Sequence, residues 1–204
     1  MTLTPQVLLA ELDTALSEVS QDWRSTVLRQ IADLFLNRAD VYTKEQVGLF
    51  DAVMSLLLPG LDRPALAELS NRLADVANGP AKVLASLATH PDPEVCTPVL
   101  ERSKTLPDKV LLEVADRERI EHSILSKIAA RKELSAAVTD SLLKRGSAAI
   151  QRTLLENPNA RISEGGFARV VMGLGGDKSL AQLVAARADL PAELRPWLND
   201  TLNS

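Results

Sequence analysis

Residues 106–115 read LPDKVLLEVA, and stretches of the same kind begin again at residues 134, 162 and 190. Each stretch opens with Leu or Ile followed by Pro or Ser, and the openings lie 28 residues apart every time. A constant period in this range is typical of helical units that stack, because one unit alone cannot bury its apolar face. The repeat therefore predicts an all-α fold built as a right-handed, HEAT-like helical-repeat solenoid of about 28-residue units.

The second position of each opening predicts the start of a helix. Ser is a favoured N-cap, and Pro fits the first helical turn because its missing N–H is not needed there. The four residues at this position are Pro107, Ser135, Ser163 and Pro191. Apolar residues a few positions further along are predicted to face the core, namely Leu111, Val138, Phe167 and Leu194.

A second helix is predicted in each unit from apolar residues spaced three and four apart, as in Ile124, Ile128 and Ala129. An earlier unit begins at Pro80 with a slip of one residue in the alignment. The predicted domains are therefore a helical-repeat array over residues 79–204 and an N-terminal helical cap or bundle over residues 1–78.

The N-terminal domain is predicted to be helical without following the repeat. One helix begins at Thr4-Pro5 and runs to Val19, and another contains Trp23. Thr43 and Gln46 have the spacing of a capping box. Two interpretations stay open: a cap that shields the end of the array behind a polar outer face, and a separate bundle for oligomerisation or docking.

Composition restricts the class of protein. Hydrophobic residues make up 46% of the 204-residue chain, which is enough for a core, and no apolar run approaches the ~18 residues of a membrane span. No charged segment precedes an apolar stretch at the N-terminus, so no signal peptide is expected. The single cysteine, Cys96, cannot form an internal disulfide. We therefore expect a cytoplasmic protein that does not bind membranes.

The sequence contains no convincing catalytic, cofactor or metal motif. His122, Ser126 and Asp140 could be drawn as a triad, but helices supply no strained elbow for a nucleophile, which favours an ordinary hydrogen-bonded histidine. The glycines of residues 173–176 lack the strand and the Lys-Ser/Thr of a phosphate-binding loop and are expected to join two helices. We predict no enzyme activity, no cofactor and no metal ion.

Two features could carry recognition. Arg131, Asn159 and Arg187 each lie 25 residues after an opening, so a fixed period places them on one edge of the stack. They could bind a partner's carboxylates or backbone, or they could bond loop carbonyls at helix C-termini.

The second feature is a mildly basic stretch over residues 127–169, within a chain of net charge −4. A solvated face of mixed charge is the favoured interpretation, and a site for an anionic partner is the alternative. The basic residues are Lys127, Arg131, Lys132, Lys144, Arg145, Arg152, Arg161 and Arg169.

Several short motifs are similar to those of a known family. They lie at residues 121–123, 128–140, 157–160 and 187–191, and together they resemble a bacterial family catalogued as domain of unknown function 2336. The similarity spans about residues 23 to 198 and implies an all-helical bacterial protein similar to HEAT-type or leucine-rich-repeat-variant solenoids. The family carries no established activity, so the resemblance implies no catalytic residue.

These observations predict a non-enzymatic protein–protein interaction module or scaffold with an unidentified protein partner. A second copy of the chain is one candidate partner. The alternative function is binding of nucleic acid or a phospho-ligand through the 127–169 face, although the low aromatic content, 3%, argues against stacking on bases.

Overall fold

The computed structural model describes residues 20–145 and 147–203, and within these ranges the chain is all-helical without a β-strand. A 3-10 turn over Ala192–Leu194 precedes the last helix. The helices are α1 (Gln21–Leu36), α2 (Lys44–Leu57), α3 (Arg63–Leu73), α4 (Ala81–Ala88), α5 (Pro93–Arg102), α6 (Asp108–Ala115), α7 (His122–Ala129), α8 (Ala136–Arg145), α9 (Ala148–Glu156), α10 (Glu164–Met172), α11 (Lys178–Ala185) and α12 (Arg195–Asn203).

The chain forms two compact units, Met1–Leu106 and Pro107–Ser204. In the first unit α1 packs on α2 and α3, α2 packs on α4, and α5 packs on α3 and α4. The predicted domain boundary between residues 78 and 79 stays a prediction. The predicted helix from Thr4 to Val19 lies outside the described residues.

In the second unit the helices from α6 to α9 each pack on the helix two places further along the chain. One row contains α6, α8 and α10, and the other contains α7, α9 and α11, with α12 packing on α11. The first residue of every predicted opening is buried, namely Leu106 at the end of the first unit and Leu134, Ile162 and Leu190 in the second.

The predicted helix starts are confirmed with two adjustments. The Ser163 hydroxyl accepts a hydrogen bond from the Gly166 N–H at 3.0 Å, as expected of an N-cap. Pro107 and Pro191 stand one residue earlier than predicted, at the N-cap instead of in the first turn. Pro191 also begins a 3-10 turn and not an α-helix.

The predicted core residues are confirmed in three of four places. Leu111, Val138 and Phe167 are buried. Leu194 is only half-buried, because the 3-10 turn rotates its side chain away from the position that an α-helix would give it. Leu198, one turn later on α12, is buried instead.

Side chains also cap helices of the first unit. The Thr43 hydroxyl accepts from the Gln46 N–H while the Gln46 side chain accepts from the Thr43 N–H, which confirms the predicted capping box. The buried Asp51 carboxylate of α2 accepts from the N–H groups of Lys82 and Val83 at 3.1 and 2.9 Å. It thereby caps α4, whose own N-cap, Pro80, has no side-chain acceptor.

None of the helices within residues 20–145 and 147–203 is long and apolar enough to cross a bilayer.

Candidate partner-binding surfaces

Arg187, the last member of the predicted column, is buried in the loop that follows α11. Its Nη1 donates to the carbonyl oxygen of Asn157 at 2.7 Å, and its Nη2 donates to that of Ala160 at 2.8 Å. Both carbonyls lie in the loop that follows α9. One guanidinium therefore joins the loops that follow α9 and α11.

The rest of the Arg187 guanidinium is also held in place. Nε and Nη2 donate to the Asp189 carboxylate at 2.8 and 2.7 Å, and the guanidinium carbon lies 6.0 Å from the centre of the Phe167 ring. The hydrogen bond from Arg187 lowers the pKa of Asp189 below its usual range, against the opposing effect of partial burial.

Arg131 is buried as well, in the equivalent loop after α7. Burial lowers the pKa of its guanidinium, while the negative charges of Asp108 and Glu133 act in the opposite direction. The loop carbonyls here receive a neighbour's side chain, since Asn157 Nδ2 donates to the carbonyl oxygens of Ala129 and Arg131 at 3.1 and 2.8 Å.

Asn159 is the member of the column whose side chain is exposed to solvent. Its backbone is fixed, because its N–H donates to Asn157 Oδ1 at 3.0 Å and its carbonyl accepts from the Leu134 N–H at 3.4 Å. The structure thus brings the three loops together through backbone-directed bonds. Recognition of a partner by Arg131, Asn159 and Arg187 stays a prediction.

Two residues with this structural role were missed by sequence reasoning. Asn157 was read only as a motif residue, although it lies 28 residues after the Ala129 carbonyl that it binds. Arg145 at the end of α8 similarly donates to the carbonyl oxygens of Ala115, at 2.7 Å, and of Arg117. A polar side chain about one period after a helix end is the signal that could have identified both.

Exposed apolar and basic side chains lie on α10 and on α12. Met172 is 85% exposed and Trp197 is 67% exposed, and both are large apolar side chains. Arg169, also exposed, lies three residues before Met172 and therefore on the same side of α10. Trp197 follows Arg169 by 28 residues, which is one period of the sequence pattern. We call Arg169, Met172 and Trp197 the α10/α12 surface.

Some basic side chains of residues 127–169 are buried or bonded within the protein. Arg131 is buried, Arg145 binds backbone carbonyls, and Arg152 donates to Ser179 Oγ at 2.6 Å and pairs with Asp177 at 3.4 Å. The remaining basic side chains are exposed, and exposed Glu133, Glu156 and Glu164 lie among them. Much of the predicted charge excess is therefore either internal or mixed with acidic side chains.

The side chains drawn as a triad are not brought together as one. The Ser126 hydroxyl donates to the backbone carbonyl of His122 at 2.9 Å, and Asp140 accepts from the Ser163 hydroxyl at 2.6 Å. The first bond lies within one turn of α7, and the second joins α8 to the N-cap of α10, 23 residues further along the chain. Across the part of the chain that the structure describes, no three His, Cys, Asp or Glu side chains converge as metal ligands would.

The glycines before α11 join two helices, as predicted. Gly175 and Gly176 have positive φ values of 55° and 88°, and Asp177 follows them as the N-cap of α11.

The described residues form an all-helical protein in which side chains bind the backbone carbonyls of neighbouring interhelical loops. The sequence model of a family described as "Uncharacterised protein conserved in bacteria (DUF2336)" matches residues 95–204, and the chain belongs to this family. No curated protein and no solved structure matches the chain.

Proposed function

We propose that this protein is a non-enzymatic interaction module or scaffold that acts in the cytoplasm. Its helices would form a HEAT-like solenoid of about 28-residue units, and the protein would bind another protein along exposed helix faces. The packing of alternate helices in the second unit supports this proposal, because consecutive repeats of a solenoid contact each other through equivalent helices.

The α10/α12 surface is the observation that carries the proposal. Trp, Met and Arg are enriched in the cores of protein interfaces, where a few such residues supply most of the binding energy. An isolated exposed apolar residue is ordinary, but Met172 and Trp197 both expose most of their area, and Met172 shares a side of α10 with the exposed Arg169. A complementary protein surface could bury both without disturbing the core.

The experiment compares capture of native cytosolic proteins by the wild type and by Met172→Ala and Trp197→Ala. Truncating an interface hot spot costs at least about 2 kcal/mol, so the captured partner should bind roughly thirty-fold more weakly. Both variants should melt like the wild type because the side chains are exposed. Glu113→Ala is the matched control, since Glu113 is exposed on α6, 56 residues before Arg169, two repeat periods earlier.

Unchanged capture by both variants would contradict the proposed surface. If nuclease treatment abolishes capture by the wild type and by every variant, the result would instead favour the alternative function on the 127–169 face. A titration with duplex DNA completes the comparison, because phosphate contacts make binding steeply salt-dependent. We expect no binding at physiological salt.

A further inference from the structure

The helix α12 packs differently from the helices that precede it in the second unit. Because α8 packs on α6 and α10 packs on α8, the sequence period predicts that the next helix packs on α10. The 3-10 turn over Ala192–Leu194 does pack on α10, but α12 itself packs on α11. This helix therefore covers part of the surface of α11.

The side of α12 that faces α11 is apolar. Leu198 and Leu202 lie four residues apart, which places them on one side of the helix, and Leu198 is buried while Leu202 is half-buried. Half-buried Leu194, a further four residues back, ends the 3-10 turn. Exposed Arg195 and Asn199 lie on other sides of the helix. The contact with α11 is thus made by an amphipathic helix with leucines at intervals of four.

Fewer buried side chains hold α12 than hold the other helices of the second unit. Each helix from α6 to α11 buries three to five residues, whereas Leu198 is the buried residue among the described side chains of α12. Elements with few buried apolar contacts open at a lower free energy than the core of the same protein. The Arg187 guanidinium joins the loops that follow α9 and α11, so these loops stay connected when α12 opens.

We propose that α12 is a lid over a helix-binding surface of α11, and that an amphipathic helix of a partner protein binds there in its place. The lid itself defines the chemistry of the partner helix, namely leucines at intervals of four on one side and polar residues on the others. Binding of an amphipathic helix through apolar residues at this spacing is a common mode of recognition. The inference rests on the proposed function as an interaction module and adds a site that the closed lid covers.

The lid controls the affinity of the surface for a partner helix. A ligand that binds only the open form has an apparent affinity that is reduced by the fraction of open molecules. Because residues 186–191 connect α11 to the 3-10 turn, the lid competes with the partner at an effective concentration on the order of millimolar. A free helix at ordinary concentrations therefore binds weakly to the closed protein and more tightly once the lid is released.

Native-state hydrogen exchange of the full chain tests the opening of the lid. Amides of α12 should have protection factors at least about tenfold lower than those of α8, because α8 buries five residues and opens only with the rest of the unit. Equal protection of α12 and α8 overturns the proposal without any substitution in the chain.

A fluorescein-labelled peptide with the sequence of residues 190–203 is the probe for the binding step. Fluorescence anisotropy should show that the full chain with Leu198→Glu, whose lid is released by a charge in its apolar side, binds the peptide at least about tenfold more tightly than the wild type. Asn199→Glu is the matched control, since it adds the same charge on an exposed side of α12 and should bind the peptide as the wild type does. A peptide that carries Leu198→Glu should bind neither form.

Far-UV circular dichroism reports whether the remaining helices persist in the Leu198→Glu chain. Equal binding of the peptide by this variant and by the wild type overturns the proposal. Unfolding of the second unit by Leu198→Glu also overturns it, because α12 would then be part of the core and not a lid. The assay uses no cellular partner, so its failure is distinct from a failure of capture through Met172 and Trp197.

Discussion

Replacing Arg187 with Ala should destabilise the protein far more than replacing Asn159, although the sequence places both in one column. Arg187 donates to two loop carbonyls at 2.7 and 2.8 Å and is buried, whereas the Asn159 side chain is exposed. Truncation leaves the carbonyls of Asn157 and Ala160 without this donor in a partly buried loop. The loss therefore falls on the contact between the loops that follow α9 and α11.

The size of the expected stability loss follows from the two hydrogen bonds that Arg187 donates to loop carbonyls. A hydrogen bond to a charged group contributes about 1.5–3 kcal/mol, and two bonds from one guanidinium are not fully additive, so Arg187→Ala should cost about 3–5 kcal/mol. The ion pair with Asp189 adds little, because half of that carboxylate side chain is in water. Arg187→Lys should recover part of the loss, since a single ammonium cannot span both carbonyls and the carboxylate.

Urea denaturation followed by circular dichroism measures this difference. With a slope of about 1–3 kcal/mol per molar urea, a loss of 3 kcal/mol lowers the midpoint by at least about 1 M. Asn159→Ala should stay within about 0.5 kcal/mol of the wild type. A midpoint for Arg187→Ala that matches the wild type would refute the reasoning and favour recognition as the role of this residue.

Three further predictions concern the core, a helix cap and pH. Phe167→Ala should lower the free energy of unfolding by about 3–5 kcal/mol, because it removes buried apolar surface and leaves a cavity. A melting temperature equal to that of Met172→Ala would contradict this prediction. Asp51→Ala should cost about 1–3 kcal/mol, because the N–H groups that begin α4, including that of Val83, lose their acceptor. Asp51→Asn keeps one acceptor oxygen and should cost less; equal losses would argue against the cap.

The Asp189 pKa is lowered in the folded protein, so its contribution is present above the unfolded pKa of about 3.9 and is lost as the pH falls below that value. Partial exposure keeps this contribution below about 1 kcal/mol, and Asp189→Asn should remove that part of the acid dependence of unfolding.

The periodic part of the fold was accessible from the sequence because local rules determine it. Pro107 and Ser163 mark helix starts through their own backbone and hydroxyl chemistry, and Val138 and Phe167 follow the helical spacing into the core. Leu194 departs from that spacing because the opening at Pro191 begins a 3-10 turn, which depends on how the last helix packs.

The candidate surfaces were less accessible, since they depend on contacts between distant residues. Arg187 and Asn159 occupy equivalent positions in the sequence, but only the loop geometry decides that one is buried against carbonyls and the other is exposed. Trp23 and Leu34 are apolar residues of α1, but the sequence does not indicate that the side of the helix on which they lie is exposed.

The burial of Arg187 also sets the energetic cost of using this side chain for recognition. A partner that recruited this guanidinium would have to break bonds worth about 3–5 kcal/mol, which would weaken its affinity by a factor of roughly a hundred to several thousand. Met172 and Trp197 carry no such cost, because their exposed side chains can be buried while the loop bonds of Arg187 persist. Recognition by exposed helix faces is therefore compatible with a fold whose loop edge is occupied by its own side chains.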